Sequence, residues 1–131
     1  MNAAADFRRA VEEHDIDAAT ELFAEDIVFH SPVTFHPFIG RETVTHLLTI
    51  VAGTFENFRY TDELESDRAH ALIFRAEVDG RELEGIDLLR LDEDGRICDF
   101  TVMIRPMSGL MPFAQKMAEQ TAAAGVTTTR S

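Results

Sequence analysis

The chain has very little of several residues on which common functional sites depend. Cys98 is its only cysteine, so no disulfide can form within the chain, and a lone thiol in an apolar strand is typical of a small core residue. Lys116 is its only lysine, which removes most candidates for Schiff-base chemistry. The sequence contains no phosphate-binding or dinucleotide-binding glycine pattern and no internal repeat. No apolar run reaches the roughly eighteen residues of a membrane span, so we expect a soluble protein.

Basic residues are also scarce relative to acidic ones. The 131 residues include 24 acidic and 12 basic side chains, which gives a formal net charge of −12. A surface of this sign repels phosphate backbones, so nucleic acid is not an expected partner. Residues 1–9 become charged where a signal peptide would be apolar, and the cytoplasm is therefore the expected location.

The length predicts one domain with a sizeable core. We place this domain at residues 1–120 and a flexible tail of small and polar residues at 121–131. Asn2 and Asp15 are suited to cap two N-terminal helices, the second of which carries its apolar stripe through Leu22 and Phe23. A short strand is expected from Ile27, and a third helix over about residues 41–52.

From Thr54 onward the hydrophobic pattern changes to a period of two, which is typical of strands. The acidic turn that ends in Gly95 separates two apolar runs and predicts a β-hairpin, which Pro106 ends because proline cannot donate to the ladder. A C-terminal amphipathic helix is predicted after Pro106. Helices followed by an antiparallel sheet and a closing helix indicate an α+β fold, with the helices segregated to one face.

Asp87 does not fit the hairpin that contains it. It lies between Ile86 and Leu88 in the middle of an apolar strand, where a carboxylate is disfavoured unless it faces solvent, has a partner or takes part in chemistry. Asp87 is therefore the first candidate for a functional residue. It could also be a structural acid that is buried and bonded to Ser31, to an arginine or to a backbone amide.

The hairpin strands are apolar on both faces, although one layer of helices covers only one face. We therefore predict that the outer face packs against a second copy of the chain. In this homodimer Arg75, Arg90 and Arg105 would lie at the rim of the interface.

Three segments carry a family resemblance. The helix exit at residues 19–26, the Gly40-Arg41-Glu42 start of the third helix and above all residues 85–97 resemble the nuclear transport factor 2-like superfamily. Within it, residues 3–120 are similar to the SnoaL-like branch, which includes polyketide cyclases, and to ketosteroid isomerases. The resemblance implies a cystatin-like cone, in which a curved antiparallel sheet wraps around the N-terminal helices and encloses an apolar pocket. It also implies dimerisation through the outer face of the sheet.

The resemblance places Asp87 at the position of the protonated aspartic acid in the oxyanion hole of ketosteroid isomerases. In those enzymes an apolar site keeps this carboxylic acid neutral, so that it can donate a hydrogen bond. Two other catalytic positions differ from that family. The oxyanion-hole tyrosine corresponds to Phe7, which has no hydroxyl, and the general-base aspartate corresponds to Ser31, which cannot accept a proton near neutral pH. His30, His36 or His46 could supply the missing base if one of them turned inward, and His30 and His36 are the candidates we retain. Strand alternation, however, puts His30 opposite Ser31.

The same template implies a substrate pocket with a mostly apolar lining. Its expected members are Phe7, Phe23, Phe29, Ser31, Leu47, Leu48, Leu72, Phe74, Phe100, Val102 and Ile104. A set of apolar residues of this kind is also compatible with ordinary packing in the hydrophobic core. His30 and His36 have no third ligand at a useful spacing, so no metal site is predicted.

Two functional hypotheses follow. In the first, the protein is a cofactor-independent enzyme of cyclase, isomerase or dehydratase type, acting on a small hydrophobic carbonyl compound through Asp87 and a histidine. In the second, it is a non-catalytic module that binds a ligand or forms a dimeric assembly. Substitution of Asp87 by asparagine separates the two hypotheses, because only the first predicts a loss of turnover.

Overall fold

The fold was analysed in a computed structural model, which describes residues 2–124. The described residues form four helices and six strands. They follow the predicted order, except that the two-residue strand Phe38–Ile39 was not predicted. Their bounds are α1 Ala3–Glu12, α2 Ile16–Thr20, β1 Phe23–His30, β2 Phe38–Ile39, α3 Arg41–Thr54, β3 Glu56–Glu65, β4 Ala69–Val78, β5 Arg81–Leu91, β6 Ile97–Arg105 and α4 Met107–Ala124.

Side-chain caps fix the beginnings of the first two helices, as the sequence predicts. The Asn2 Oδ1 atom accepts a hydrogen bond of 2.8 Å from the amide of Ala5, and Asp15 Oδ1 accepts one of 3.1 Å from the amide of Ala18. Each bond satisfies a donor that would otherwise lack a partner in the first turn. Among the residues that α1 buries is Phe7, the largest of them.

The six strands form one open, curved sheet in the order β2-β1-β6-β5-β4-β3. The α+β prediction is confirmed, but the sheet is mixed rather than antiparallel throughout, because β1 runs parallel to β6. β1 also begins at Phe23 instead of Ile27. Phe23 pairs with Ile97 across the parallel ladder, and this tertiary pairing overrides the helical pattern of the segment.

The inner face of the sheet carries the core. Leu72, Phe74, Leu89 and Phe100 are completely or almost completely buried there. Gly85 makes this packing possible, because a Cβ atom at its position would lie 2.3 Å from Cζ of Phe74. Asp87 belongs to the same inner face and pairs in register with Leu72 on one side and Val102 on the other.

The outer face of the sheet is not covered by the helices of the chain. Ile86 pairs with Ile73 and with Met103 across the ladder, and Met103 is 51% exposed. At one edge of this apolar strip Glu84 lies between two arginines, with its carboxylate 3.5 Å from Arg75 and 3.1 Å from Arg105. This is the face that the sequence assigns to a homodimer.

The last helix, α4, packs against β4, β5 and β6 and continues to Ala124. The predicted tail at 121–131 thus begins inside this helix, and residues 125–131 lie outside the described part of the chain. No helix among residues 2–124 is both long enough and apolar enough to cross a membrane.

Candidate functional site

A cavity of about 490 Å³ lies between the inner face of the sheet and the helices. This volume is within the range of pockets that hold small molecules. Its buried end is formed mainly by aromatic rings, together with two polar side chains. The buried lining residues are Phe7, Phe29, Tyr60, Asp87, Phe100, Val102 and Phe113.

The exposed end of the cavity is formed by different elements and has a different chemistry. It lies between the turn that joins α1 to α2 and the junction of α3 with β3. All of its exposed residues except Ala52 are polar. The exposed residues are Glu12, His14, Ala52, Asn57 and Arg59. The cavity therefore has an apolar interior and a polar mouth.

Asp87 is held in the interior by the middle of β5. Only 7% of its surface is exposed, and its neighbours in the ladder are apolar. Tyr60, on the edge strand β3, reaches it diagonally across β4, and Tyr60 Oη donates a hydrogen bond of 2.8 Å to Asp87 Oδ2. Tyr60 is the one described residue that hydrogen-bonds to this carboxyl group, and the bond engages Oδ2 only.

Burial controls the ionisation of this pair. Desolvation of the carboxylate raises the pKa of Asp87 from 3.8 to about 7, although the hydrogen bond from Tyr60 acts in the opposite direction. The pKa of Tyr60 is raised well above 10, first by its own burial and then by the negative charge of Asp87. Near neutral pH, Tyr60 therefore keeps its proton, while Asp87 can both take up and release one.

A cluster of charges on α1 and β3 positions the Tyr60 ring. The Arg8 guanidinium lies 5.7 Å from the ring centroid, in the range of cation–π contacts. Arg8 also binds Glu12 at 3.2 Å and Glu63 at 2.9 Å, and it thereby joins the helix to the strand. Tyr60 was not identified as a site residue from the sequence, although it is the only tyrosine in the chain.

The predicted lining residues divide into three groups. The first group borders the cavity as expected, and it consists of Phe7, Phe29, Leu48, Phe100 and Val102. The second group is packed in the core and does not reach the cavity: Phe23, Leu47, Leu72 and Phe74. The third group, Ser31 and Ile104, lines a shallower depression beside His30.

Neither predicted catalytic histidine borders the cavity. His30 pairs in register with Thr101 on the outer face of the sheet, opposite Asp87, and its Nε2 atom lies 3.1 Å from Asp99 Oδ2. His36 lies in the loop between β1 and β2, outside the cavity lining. Ser31, at the position that corresponds to the base, accepts a hydrogen bond from the amide of Val33. The histidine that does border the cavity is His14, in the turn between α1 and α2, which was not a predicted site residue.

Comparison with known proteins shows which families and solved structures the chain is similar to. The family profile described as SnoaL-like domain matches residues 4–100. A steroid delta-isomerase from Pseudomonas aeruginosa is 38% identical, with 95% of this chain and 93% of that chain covered and a TM-score of 0.89. An uncharacterised bacterial protein with a cystatin-like fold, from Silicibacter pomeroyi DSS-3, is 29% identical over 92% of this chain and 85% of that chain, with a TM-score of 0.87.

A more distantly similar structure is that of the epoxide hydrolase/cyclase-like enzyme SalBIII, which has a role in pyran ring formation in the polyether salinomycin. It is 20% identical over 82% of this chain and 90% of that chain, with a TM-score of 0.66, which relates the two folds alone. No curated protein is significantly similar to the chain. The matches confirm the cystatin-like cone and the predicted family resemblance.

Proposed function

Because the chain belongs to the SnoaL-like domain family, we propose that it is a cofactor-independent acid–base enzyme of isomerase, cyclase or dehydratase type. Its substrate is a small hydrophobic carbonyl compound that enters the cavity. The observation that carries this proposal is a carboxyl group with a pKa of about 7 inside an apolar cavity of small-molecule size. General acid–base catalysis is most effective when the pKa of the catalytic group is close to the working pH.

Asp87 acts as the proton carrier in this proposal. Its carboxylate takes a proton from the carbon next to the substrate carbonyl, and the electron pair of that C–H bond moves into the enolate. Asp87 then returns the proton to a carbon of the substrate, so that no proton is gained or lost overall. Tyr60 remains bonded to Oδ2 throughout and orients the carboxyl group.

The differences at Phe7 and Ser31 favour this scheme, in which one carboxyl group carries the proton, over the scheme of ketosteroid isomerases, in which a separate aspartate base and oxyanion-hole donors act. Phe7 packs edge-on against Phe100 at 5.5 Å and has no group that could donate to an enolate oxygen. With Ser31 outside the cavity lining and both predicted histidines elsewhere, Asp87 is the buried carboxyl group that borders the cavity beside its apolar walls.

Asp87→Asn tests the proposal, because it keeps the shape of the side chain and removes its ability to carry a proton. We expect a loss of activity of at least about 100-fold. The reaction to follow is deuterium incorporation at the carbon next to the carbonyl of a β,γ-unsaturated cyclic ketone, together with its conversion to the conjugated enone. Asp99→Asn is the matched control, since Asp99 lies on the outer face and bonds to His30.

The alternative is a non-catalytic module that binds an apolar ligand. The absence of the tyrosine and of the aspartate base at the corresponding positions favours it. If neither wild type nor Asp87→Asn catalyses exchange, while both bind the ketone, the module is the correct interpretation. Equal exchange by the two proteins would show that the chemistry does not depend on Asp87. Loss of exchange in Asp99→Asn alone would instead assign the chemistry to His30.

We also propose that the chain forms a homodimer through the outer face of its sheet. The proposal is supported by the half-buried apolar strip that includes Ile73, Ile86 and Met103. An uncovered apolar strip with charges at its edge is typical of an interface between identical subunits.

A further inference from the structure

The strand that carries Tyr60 is paired on one side only. β3 lies at the edge of the sheet and bonds to β4 alone. Its ladder is irregular between Glu56 and Arg59 and again between Tyr60 and Asp62. Such irregularities leave backbone groups without ladder partners and alter the direction of nearby side chains. The ladder therefore does not by itself fix the Tyr60 hydroxyl on Asp87, and other contacts must hold it there.

One such contact comes from the sheet and another from helix α1. Within the sheet, Phe58 packs edge-on against the Tyr60 ring, with the ring centroids 5.0 Å apart, and it stacks on Phe74 of β4. From the helix, the Arg8 guanidinium lies 5.7 Å from the centroid of the Tyr60 ring. The ring is thus held by an aromatic contact that belongs to the sheet and by a cationic contact that belongs to α1.

Two carboxylates fix the orientation of the Arg8 side chain. Its Nη1 atom donates a hydrogen bond of 2.9 Å to Glu63 Oε1 on β3, and its Nε atom donates one of 3.2 Å to Glu12 Oε2 on α1. Arg8 and Glu63 form the one ion pair that joins α1 to β3 among residues 2–124. A guanidinium carries its donors in a rigid plane, so these two bonds hold it in a fixed position beside Tyr60.

On the basis of the proposed function, we propose that Arg8 is a positioning residue for the reaction, because it holds β3 against α1 and thereby keeps the Tyr60 hydroxyl on Asp87 Oδ2. Arg8 does not border the cavity, so it does not touch a bound substrate. Its effect on Asp87 passes through Tyr60, whose hydrogen bond of 2.8 Å connects the ring to the carboxyl group. A loss of orientation should lower the rate of the chemical step and leave substrate binding almost unchanged.

Arg8→Met tests this role, because methionine keeps an unbranched apolar side chain, suits a helix and removes the guanidinium. We expect kcat for the β,γ-unsaturated ketone to fall about tenfold and KM to change by less than about twofold. The ¹³C NMR titration midpoint of the Asp87 carboxyl carbon should rise toward that of Tyr60→Phe, because the bond from Tyr60 lowers the pKa of Asp87.

Arg9→Met is the matched control, because it removes the same charge from the neighbouring position of α1. Arg9 pairs with Asp6 within the helix, and its side chain is 52% exposed. It contacts neither Tyr60 nor β3 through a hydrogen bond or an ion pair among the described residues. The kinetic constants and the titration midpoint of Arg9→Met should therefore equal those of wild type.

Two further measurements separate positioning from general support of the fold. In a variant that combines Arg8→Met with Tyr60→Phe, kcat and the titration midpoint should equal those of Tyr60→Phe alone, since the route through the hydroxyl group is already lost. Tyr60 is also the only tyrosine, and the chain has no tryptophan, so the tyrosine emission of the protein reports on this one ring. The emission should change in Arg8→Met and remain that of wild type in Arg9→Met.

Other results overturn the positioning role of Arg8. A lower melting temperature with an unchanged midpoint and unchanged emission in Arg8→Met shows that Arg8 only supports the fold. An equal loss of kcat in Arg9→Met shows an effect of the charge on α1, and a further loss in the double variant shows that Arg8 acts without Tyr60. If the wild type does not convert the ketone, the proposed function fails, but the midpoint and the emission of Arg8→Met still decide whether Arg8 positions Tyr60 on Asp87.

Discussion

At the scale of single residues, the free energy of ionising Asp87 decides how the site behaves. The carboxylate loses most of its hydration between apolar neighbours, and the hydrogen bond from Tyr60 restores only part of what is lost. The result is a group that exchanges its proton near neutral pH. A carboxyl group in water, with its pKa near 4, would be too weak a base for the same task.

The raised pKa of Asp87 also makes the stability of the fold depend on pH. The unfolded carboxyl group titrates near 3.8 and the folded one near 7, so between these values the folded state binds more protons. Asp87 thus lowers the free energy of unfolding progressively as the pH rises from about 4 to about 7. Above about pH 7, the ionised Asp87 lowers the free energy of unfolding by its full amount.

Asp87→Asn is therefore expected to stabilise the protein at alkaline pH. A change in pKa from 3.8 to about 7 corresponds to up to about 4 kcal/mol in the free energy of unfolding at about pH 8. At about pH 4 the two proteins should differ little. Urea unfolding at both pH values measures this difference, and a variant that is equally or less stable at about pH 8 would contradict the raised pKa.

Asp87 could be identified from the sequence, but Tyr60 could not. An acidic residue between Ile86 and Leu88 conflicts with its surroundings and is visible in a single strand. The bond from Tyr60 depends on the registers of β3, β4 and β5 together, including an irregularity in β3 after Tyr60. No local pattern contains that information. His14 was missed for a related reason, since its position at the cavity depends on how α1 packs against the sheet.

At the scale of secondary-structure elements, the pairing of β5 with its neighbours depends on one small residue. Gly85 leaves room for the ring of Phe74, and an added Cβ would also lie 2.7 Å from Met103 O. Phe74 in turn stacks on Phe58 with ring centroids 4.9 Å apart. The glycine therefore supports the aromatic packing beside the cavity.

Gly85→Ala is expected to destabilise the fold by about 1–3 kcal/mol, because the ring and the backbone must both move. Gly53→Ala is the matched control. It lies within α3 with open space around its added Cβ, and it should stabilise the protein by about 0.5–1 kcal/mol. Thermal unfolding of the two variants gives the comparison. If Gly85→Ala were as stable as wild type, the close approach of Phe74 would be wrong.

The elements themselves were largely predictable, because their signals are local. Both N-terminal caps and the hairpin turn are correct, and in the turn Asp92 Oδ1 accepts hydrogen bonds from the amides of Asp94 and Arg96. The start of β1 was wrong, since Phe23 joins the sheet through a pairing with Ile97 that is remote in sequence. The parallel direction of β1 and β6 was missed for the same reason.

At the scale of the whole molecule, the sheet separates two surfaces with different proposed roles. Its inner face holds the cavity, and its outer face presents the apolar strip and the ion pairs of Glu84. The alternation along the hairpin was enough to predict that both faces are apolar. It could not distinguish residues that border a cavity from residues packed in the core, because Leu89 and Val102 lie on the same inner face of the hairpin and only Val102 borders the cavity.

The proposed dimer predicts that Ile86→Glu yields a monomer, because a charge in the centre of the apolar strip would have to lose its hydration on association. Met111→Glu is the control, since Met111 is 61% exposed on α4, away from the outer face. Sedimentation velocity distinguishes the two species. A wild type that sediments as a monomer, or an Ile86→Glu variant that remains a dimer, would overturn the proposal.

The central claim is that Asp87 titrates near neutral pH inside the cavity, and a ¹³C NMR titration of its carboxyl carbon tests it most directly. The account predicts a midpoint at about pH 7 in the wild-type protein. It also predicts a higher midpoint in Tyr60→Phe, because that variant loses the hydrogen bond that lowers the pKa. A midpoint near 3.8 in the wild type would show a hydrated carboxylate and would contradict the proposed acid–base role.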